Sequence, residues 1–123
     1  MSPSRPRILI IDDDPDTCEM LNAAFSREGF DVETKSTPKD GLFWLAHHDV
    51  ELVVLDLGFY GEVKILTIGA ILALRPGTPV VVYSGYTDTH YLDHAIGSGA
   101  RAFIAKPELS QLIQRVTEIL KPN

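Results

Sequence analysis

Apolar positions along this chain follow two alternating patterns: short unbroken runs, and longer stretches in which they recur at helical spacing. The clearest run is Leu52–Val53–Val54–Leu55, which leads directly into Asp56. A continuous apolar run of that length fits a strand buried on both faces, as in the middle of a parallel sheet. Arg7–Ile11, Val80–Tyr83 and Ala102–Ala105 read the same way, whereas Asp31–Lys35 alternates polar with apolar and reads as an edge strand.

Helical patterns separate these runs. Pro15 opens the first, with Leu21, Ala24 and Phe25 on one face and Gly29 as C-cap. Thr37 as N-cap, Pro38 at the first helical position and Asp40 in the first turn open the second, whose buried stripe is Leu42, Leu45 and Ala46. The third spans Glu62–Leu74. The fourth, Thr89–Ser98, turns Leu92, Ala95 and Ile96 inward and closes at Gly99. Leu109, Leu112, Ile113, Val116, Ile119 and Leu120 make the last a regular amphipathic helix. Strands alternating with helices predict an α/β fold: a doubly wound parallel five-stranded (βα)5 sheet with right-handed crossovers. The natural strand order is the flavodoxin-like 2-1-3-4-5, which agrees with Asp31–Lys35 at an edge.

The third helix leaves two readings open. Ile65–Leu74 carries no charge, yet it is too short to span a bilayer. It is either a helix buried all round or one with an exposed apolar strip serving self-association.

Composition narrows the class. At 123 residues the chain reads as one domain, 1–123, with its core over 7–120. A net charge of −6 makes nucleic acid and anionic membrane poor direct partners. Cys18 is the only cysteine, so no intramolecular disulfide forms, which suits a reducing cytoplasm. Met1–Arg7 has no apolar stretch of signal-peptide length behind it.

The chemistry lies at the strand ends. Asp12 and Asp13, Asp56, Ser84 and Lys106 each follow a different strand, and a parallel sheet brings all those ends to one rim. Clustered carboxylates repel unless a cation is present, and carboxylates with water suit Mg²⁺. A lysine supplies a point charge for phosphate, a serine hydroxyl bonds a phosphoryl oxygen, and Gly85 leaves its backbone N–H open to an anion. Together they describe phosphoryl transfer to an aspartate.

From Arg7 to Leu120 the chain resembles the receiver domain of two-component response regulators. The resemblance rests on Asp12–Asp13, Asp56, Ser84 and Lys106–Pro107 at these intervals. It implies that Asp56 is the phosphoacceptor, attacking the phosphohistidine of a sensor histidine kinase or histidine phosphotransfer protein. It implies that Asp13 binds Mg²⁺ (or Mn²⁺) directly, Asp12 mainly through water, with Asp56 and the Gly58 carbonyl completing the site. Lys106 pairs with the phosphoryl group, Ser84 swings toward it, Phe103 is the aromatic switch, and the Lys106–Pro107 bond is cis. The surface that changes on phosphorylation carries Tyr91, His94, Arg101 and Phe103 and meets a downstream effector or output domain. A homodimer is compatible with this. No output domain follows Pro122, so the expectation is a stand-alone receiver or a piece of a larger regulator or hybrid kinase.

The loop after Asp56 departs from the family pattern. A Met-Pro pair three and four residues past the aspartate and a glycine eight past it are usual in the family; Phe59, Tyr60 and Lys64 stand there. Gly58 puts no side chain beside the phosphoryl group, which points to a labile phosphoryl-aspartate, whereas Phe59 and Tyr60 covering the opening would oppose it. Two alternatives stay open: a phosphorylation-independent receiver-like interaction module, and an aspartate-dependent phosphohydrolase. Gly58 argues against the second, because no acid stands two residues past Asp56. His90 and His94 have a zinc-compatible spacing but no third ligand nearby, and read as exposed, as do His47 and His48. Trp44 lies off its helix's apolar stripe, and Cys18 reads as a packed helix residue.

Overall fold

A computed structural model describes residues 5–57, 61–85 and 88–121, with residues 61–63 described by backbone alone. The strands are β1 (Arg7–Ile11), β2 (Asp31–Lys35), β3 (Leu52–Leu55), β4 (Val80–Ser84) and β5 (Ala102–Ala105). The helices are α1 (Pro15–Arg27), α2 (Pro38–Leu45), α3 (Gly61–Leu74), α4 (Thr89–Gly97) and α5 (Leu109–Leu120). All pairings are parallel, and the sheet order is β2-β1-β3-β4-β5.

Alternate side chains of the sheet build two cores. Leu9, Ile11, Val53, Leu55, Val80 and Val82 face Leu45, Ile68, Ile71 and Ala95 of α2, α3 and α4. Ile8, Ile10, Leu52, Val54, Val81 and Tyr83 face Leu21, Phe25, Leu112 and Val116 of α1 and α5. Every residue of β3 and β4 is buried, as unbroken apolar runs require when both faces are covered. β2, at the edge, is half-buried after its first residue.

Local signals place the helix starts. Asp14 caps α1, accepting from the Asp16 amide at 3.0 Å and the Thr17 hydroxyl at 2.9 Å. Thr37 caps α2 by accepting from the Asp40 amide at 3.1 Å. Gly29 and Gly99 follow the caps of α1 and α4 at φ 95° and 112°, where a β-carbon would be strained.

Burial departs from the sequence patterns in α4 and α2, and excludes one of the two readings of α3. In α4 only Ala95 is buried; Leu92 and Ile96 are exposed, because this short helix is covered on one side only. In α2, Ala46 is the exposed C-cap residue, while Gly41 joins Leu45 in the core. α3 is not buried all round: Ile65, Ile68 and Ile71 turn inward, and Leu66 is 75% exposed.

Candidate functional site

Backbone hydrogen bonds carry the sheet's register into the loops beyond it. The Asp12 amide donates to the Lys35 carbonyl at 3.0 Å and the Asp56 amide to the Ile11 carbonyl at 2.9 Å. On the other side the Lys106 amide donates to the Ser84 carbonyl at 2.9 Å. With the β3–β4 ladder between them, these links keep the ends of β1, β3, β4 and β5 on one rim, as the strand-end pattern requires.

Asp12, Asp13 and Asp56 meet there, with a carboxylate oxygen from each within 4.8 Å of the others. They are the one group of three metal-competent side chains among the described residues. Asp12 and Asp56 are buried and Asp13 is exposed. An all-carboxylate set with one member open to water fits a hard divalent cation such as Mg²⁺, which keeps part of its water shell.

Lys106 closes the cluster. Its Nζ lies 2.9 Å from Asp12 Oδ2 and 3.4 Å from Asp56 Oδ1, and 5.7 Å from the centre of the Tyr83 ring. Burial pulls its ammonium down, but the Asp12 hydrogen bond and the charges of Asp56 and Asp12 outweigh this and raise it above the ordinary lysine range. Asp12 is raised above the ordinary carboxylate value. Burial is the main cause and the charge of Asp56 adds to it, against hydrogen bonds from the Asp14 amide at 2.9 Å and from Lys106.

Ser84 is fully buried at the end of β4, beside Ala105 across the sheet, and Gly85 after it is exposed. The Lys106–Pro107 peptide bond is cis. Phe103, on β5 opposite Val82, is half-buried against the core under α2, α3 and α4. Gly58, Phe59 and Tyr60 lie outside the described residues, and with them the expected Gly58 carbonyl ligand and the altered loop. His90 and His94 lie side by side on α4 with ring centres 6.1 Å apart, both exposed. Trp44 is half-buried, stacked on His48 at 4.3 Å.

Two residues reach the site without having been assigned to it from sequence. Cys18, on α1, donates through Sγ to the Asp12 carbonyl at 3.2 Å. Lys64, on α3, is buried, and its Nζ stands 3.9 Å from Asp13 Oδ2. The signal for Lys64 was its departure from the glycine that the resemblance to receiver domains implies at its place.

Comparison with known proteins agrees with this geometry. The family model for the response regulator receiver domain matches residues 8–117. The DNA-binding response regulator MtrA of Mycolicibacterium smegmatis is 32% identical over the whole of this chain, which spans 54% of that relative's length. A response regulator from Thermotoga maritima superposes with a TM-score of 0.89 at 28% identity, covering 97% of this chain and all of that one. A CheY-like receiver domain protein from Methanospirillum hungatei gives 0.88 at 27%, over 95% of this chain and 94% of that one. Fold, rim and family model coincide over nearly the full length, and the chain belongs to the response regulator receiver domain family.

Proposed function

We propose that this receiver takes a phosphoryl group on Asp56. The observation that carries the reading is the convergence of Lys106 Nζ on Asp12 and Asp56 inside a group of three carboxylates. Asp12, Asp13 and Asp56 would hold Mg²⁺, which supplies positive charge to offset the phosphoryl oxygens. An Asp56 carboxylate oxygen attacks the phosphorus of a donor. The new O–P bond forms as the bond from phosphorus to the donor's leaving atom, a histidine nitrogen in a kinase, breaks. Lys106, already beside Asp56, balances the negative charge that arrives, and the Ser84 hydroxyl and Gly85 amide, at the end of β4 on the same rim, would supply neutral donors.

The acyl phosphate brings close to two negative charges into a partly buried site. Such a change biases an equilibrium between two conformers, and the half-buried Phe103 links the site to the α4–β5–α5 surface bearing Tyr91, His94 and Arg101. The partners that fit are a histidine kinase or phosphotransfer protein as donor and an effector or output domain as reader. Among the described residues no helix is long and apolar enough to cross a membrane.

Intact-mass analysis after incubation with Mg²⁺ and phosphoramidate tests the reading. The wild type gains one phosphoryl group, and Asp56→Asn or chelation of Mg²⁺ abolishes the gain. A wild type that gains none returns the chain to the phosphorylation-independent module.

A further inference from the structure

We propose that Lys64 is a built-in cation that competes with Mg²⁺ for the acidic site, so that its ammonium sets the metal affinity of this receiver. The inference rests on the receiver reading and concerns a residue the reading does not use.

Lysine is seldom buried, since its flexible stem easily carries the charge into water. Here the Lys64 side chain is only 9% exposed, while Asp13, the carboxylate it faces, is 60% exposed. The amine therefore stays on the inner side of Asp13 although solvent is adjacent. At 3.9 Å the separation is that of a charge held in the field of the cluster, in contrast to the direct 2.9 Å contact of Lys106 with Asp12. A buried ammonium persists only where negative charge balances it. Lys64 and Lys106 together leave the three carboxylates with one net negative charge.

The division of labour follows from position. Lys106 lies against Asp12 and Asp56, where an incoming phosphoryl group needs a cation. Lys64 lies against Asp13, the open carboxylate through which a metal from solvent would be taken up. A divalent ion held by Asp13 would stand beside a like charge at short range, so Lys64 must move outward when the ion binds. That displacement takes free energy from metal binding. The consequence is a site that is nearly charge-compensated without metal and loads Mg²⁺ only at higher concentration.

Calorimetric Mg²⁺ titration of the wild type, Lys64→Gln, Lys64→Met and Lys64→Arg tests this. The two neutral variants bind Mg²⁺ about tenfold more tightly, equivalent to about 1.4 kcal/mol, and Lys64→Arg stays within about twofold of the wild type. Binding by the neutral variants that equals or falls below the wild type overturns the role of Lys64 and leaves the receiver reading intact. No Mg²⁺ binding by any of the four proteins overturns both.

A second measurement needs no variant. Amine acylation mapped by peptide mass spectrometry compares Lys64 with exposed Lys39 as internal reference. Mg²⁺ speeds labelling of Lys64 relative to Lys39 if the metal displaces the ammonium. An unchanged or slower relative rate overturns the competition, whatever the folding of the variants.

Discussion

Gly41 and Gly69 are matched probes of how tightly the layer under the site is packed. Both lie inside helices, α2 and α3, and neither has a positive φ. Adding a methyl group to a helix-interior glycine gains about 1 kcal/mol of helix propensity. At Gly69 a β-carbon would meet nothing within 4 Å, so Gly69→Ala stabilises by about 0.5–1 kcal/mol. At Gly41 the same atom would lie 2.5 Å from Ile11 Cδ1 and 2.8 Å from Ile11 Cγ1. The terminal methyl can rotate away, but Cγ1 is fixed by a stiff β-branched χ1, and Ile11 is closely packed in the core. Relief requires either a new Ile11 rotamer or movement of α2 away from β1, and over-packing of that kind costs about 1–3 kcal/mol. Set against the helix gain, Gly41→Ala destabilises by up to about 2 kcal/mol. Urea unfolding followed by fluorescence reads the difference, since Trp44 is the only tryptophan and sits on α2 itself. Because Asp12 follows Ile11 directly, Gly41→Ala also weakens Mg²⁺ binding, whereas Gly69→Ala leaves it unchanged. A Gly41→Ala protein as stable as Gly69→Ala would refute the packing argument.

Three further expectations concern the site. Asp12 is raised in the folded chain, so above its unfolded value near 3.8 the folded state holds the proton more tightly, and stability falls as pH rises through the raised value. Melting temperatures in chelator from pH 4.5 to 7 should therefore fall more steeply for wild type than for Asp12→Asn; parallel curves would contradict this. The Tyr83 hydroxyl is buried with no hydrogen-bond partner among the described residues, so Tyr83→Phe leaves stability equal or higher by up to about 1 kcal/mol, and a clear loss in urea melts would reveal a partner. Burial, and then the charges of Asp12 and Asp14, push the Cys18 thiol up. Iodoacetamide at neutral pH accordingly labels it far more slowly in the folded protein than in urea, and equal rates would contradict the contact with the Asp12 carbonyl.

Much of this architecture was legible in the order of residues. An apolar run such as Leu52–Leu55 admits few readings, because a strand covered on both faces has no polar side to show. Once the strands are parallel, Asp12, Asp56, Ser84 and Lys106 must share a rim, whatever their separation in sequence. Helix burial was less legible. The spacing of Leu92, Ala95 and Ile96 defines an apolar face of α4 but not whether a neighbour covers all of it, and only Ala95 is covered. Leu66 shows the same for α3. Lys64 was visible as a departure from the family's glycine, yet a charged residue on a helix is ordinarily solvated. Its direction depends on where α3 starts relative to Asp13, which no local pattern records. The unequal burial of Asp12 and Asp13 is likewise a product of loop geometry.

The most direct test of the account is to locate the phosphoryl group by chemistry specific to acyl phosphates. After incubation with Mg²⁺ and phosphoramidate, borohydride reduction converts a phosphorylated aspartate to homoserine, and tandem mass spectrometry reads its position. Phosphorylation of Asp56 leaves homoserine at position 56 alone, with Asp12 and Asp13 intact. Homoserine at position 12 or 13, or at none of the three, would contradict it.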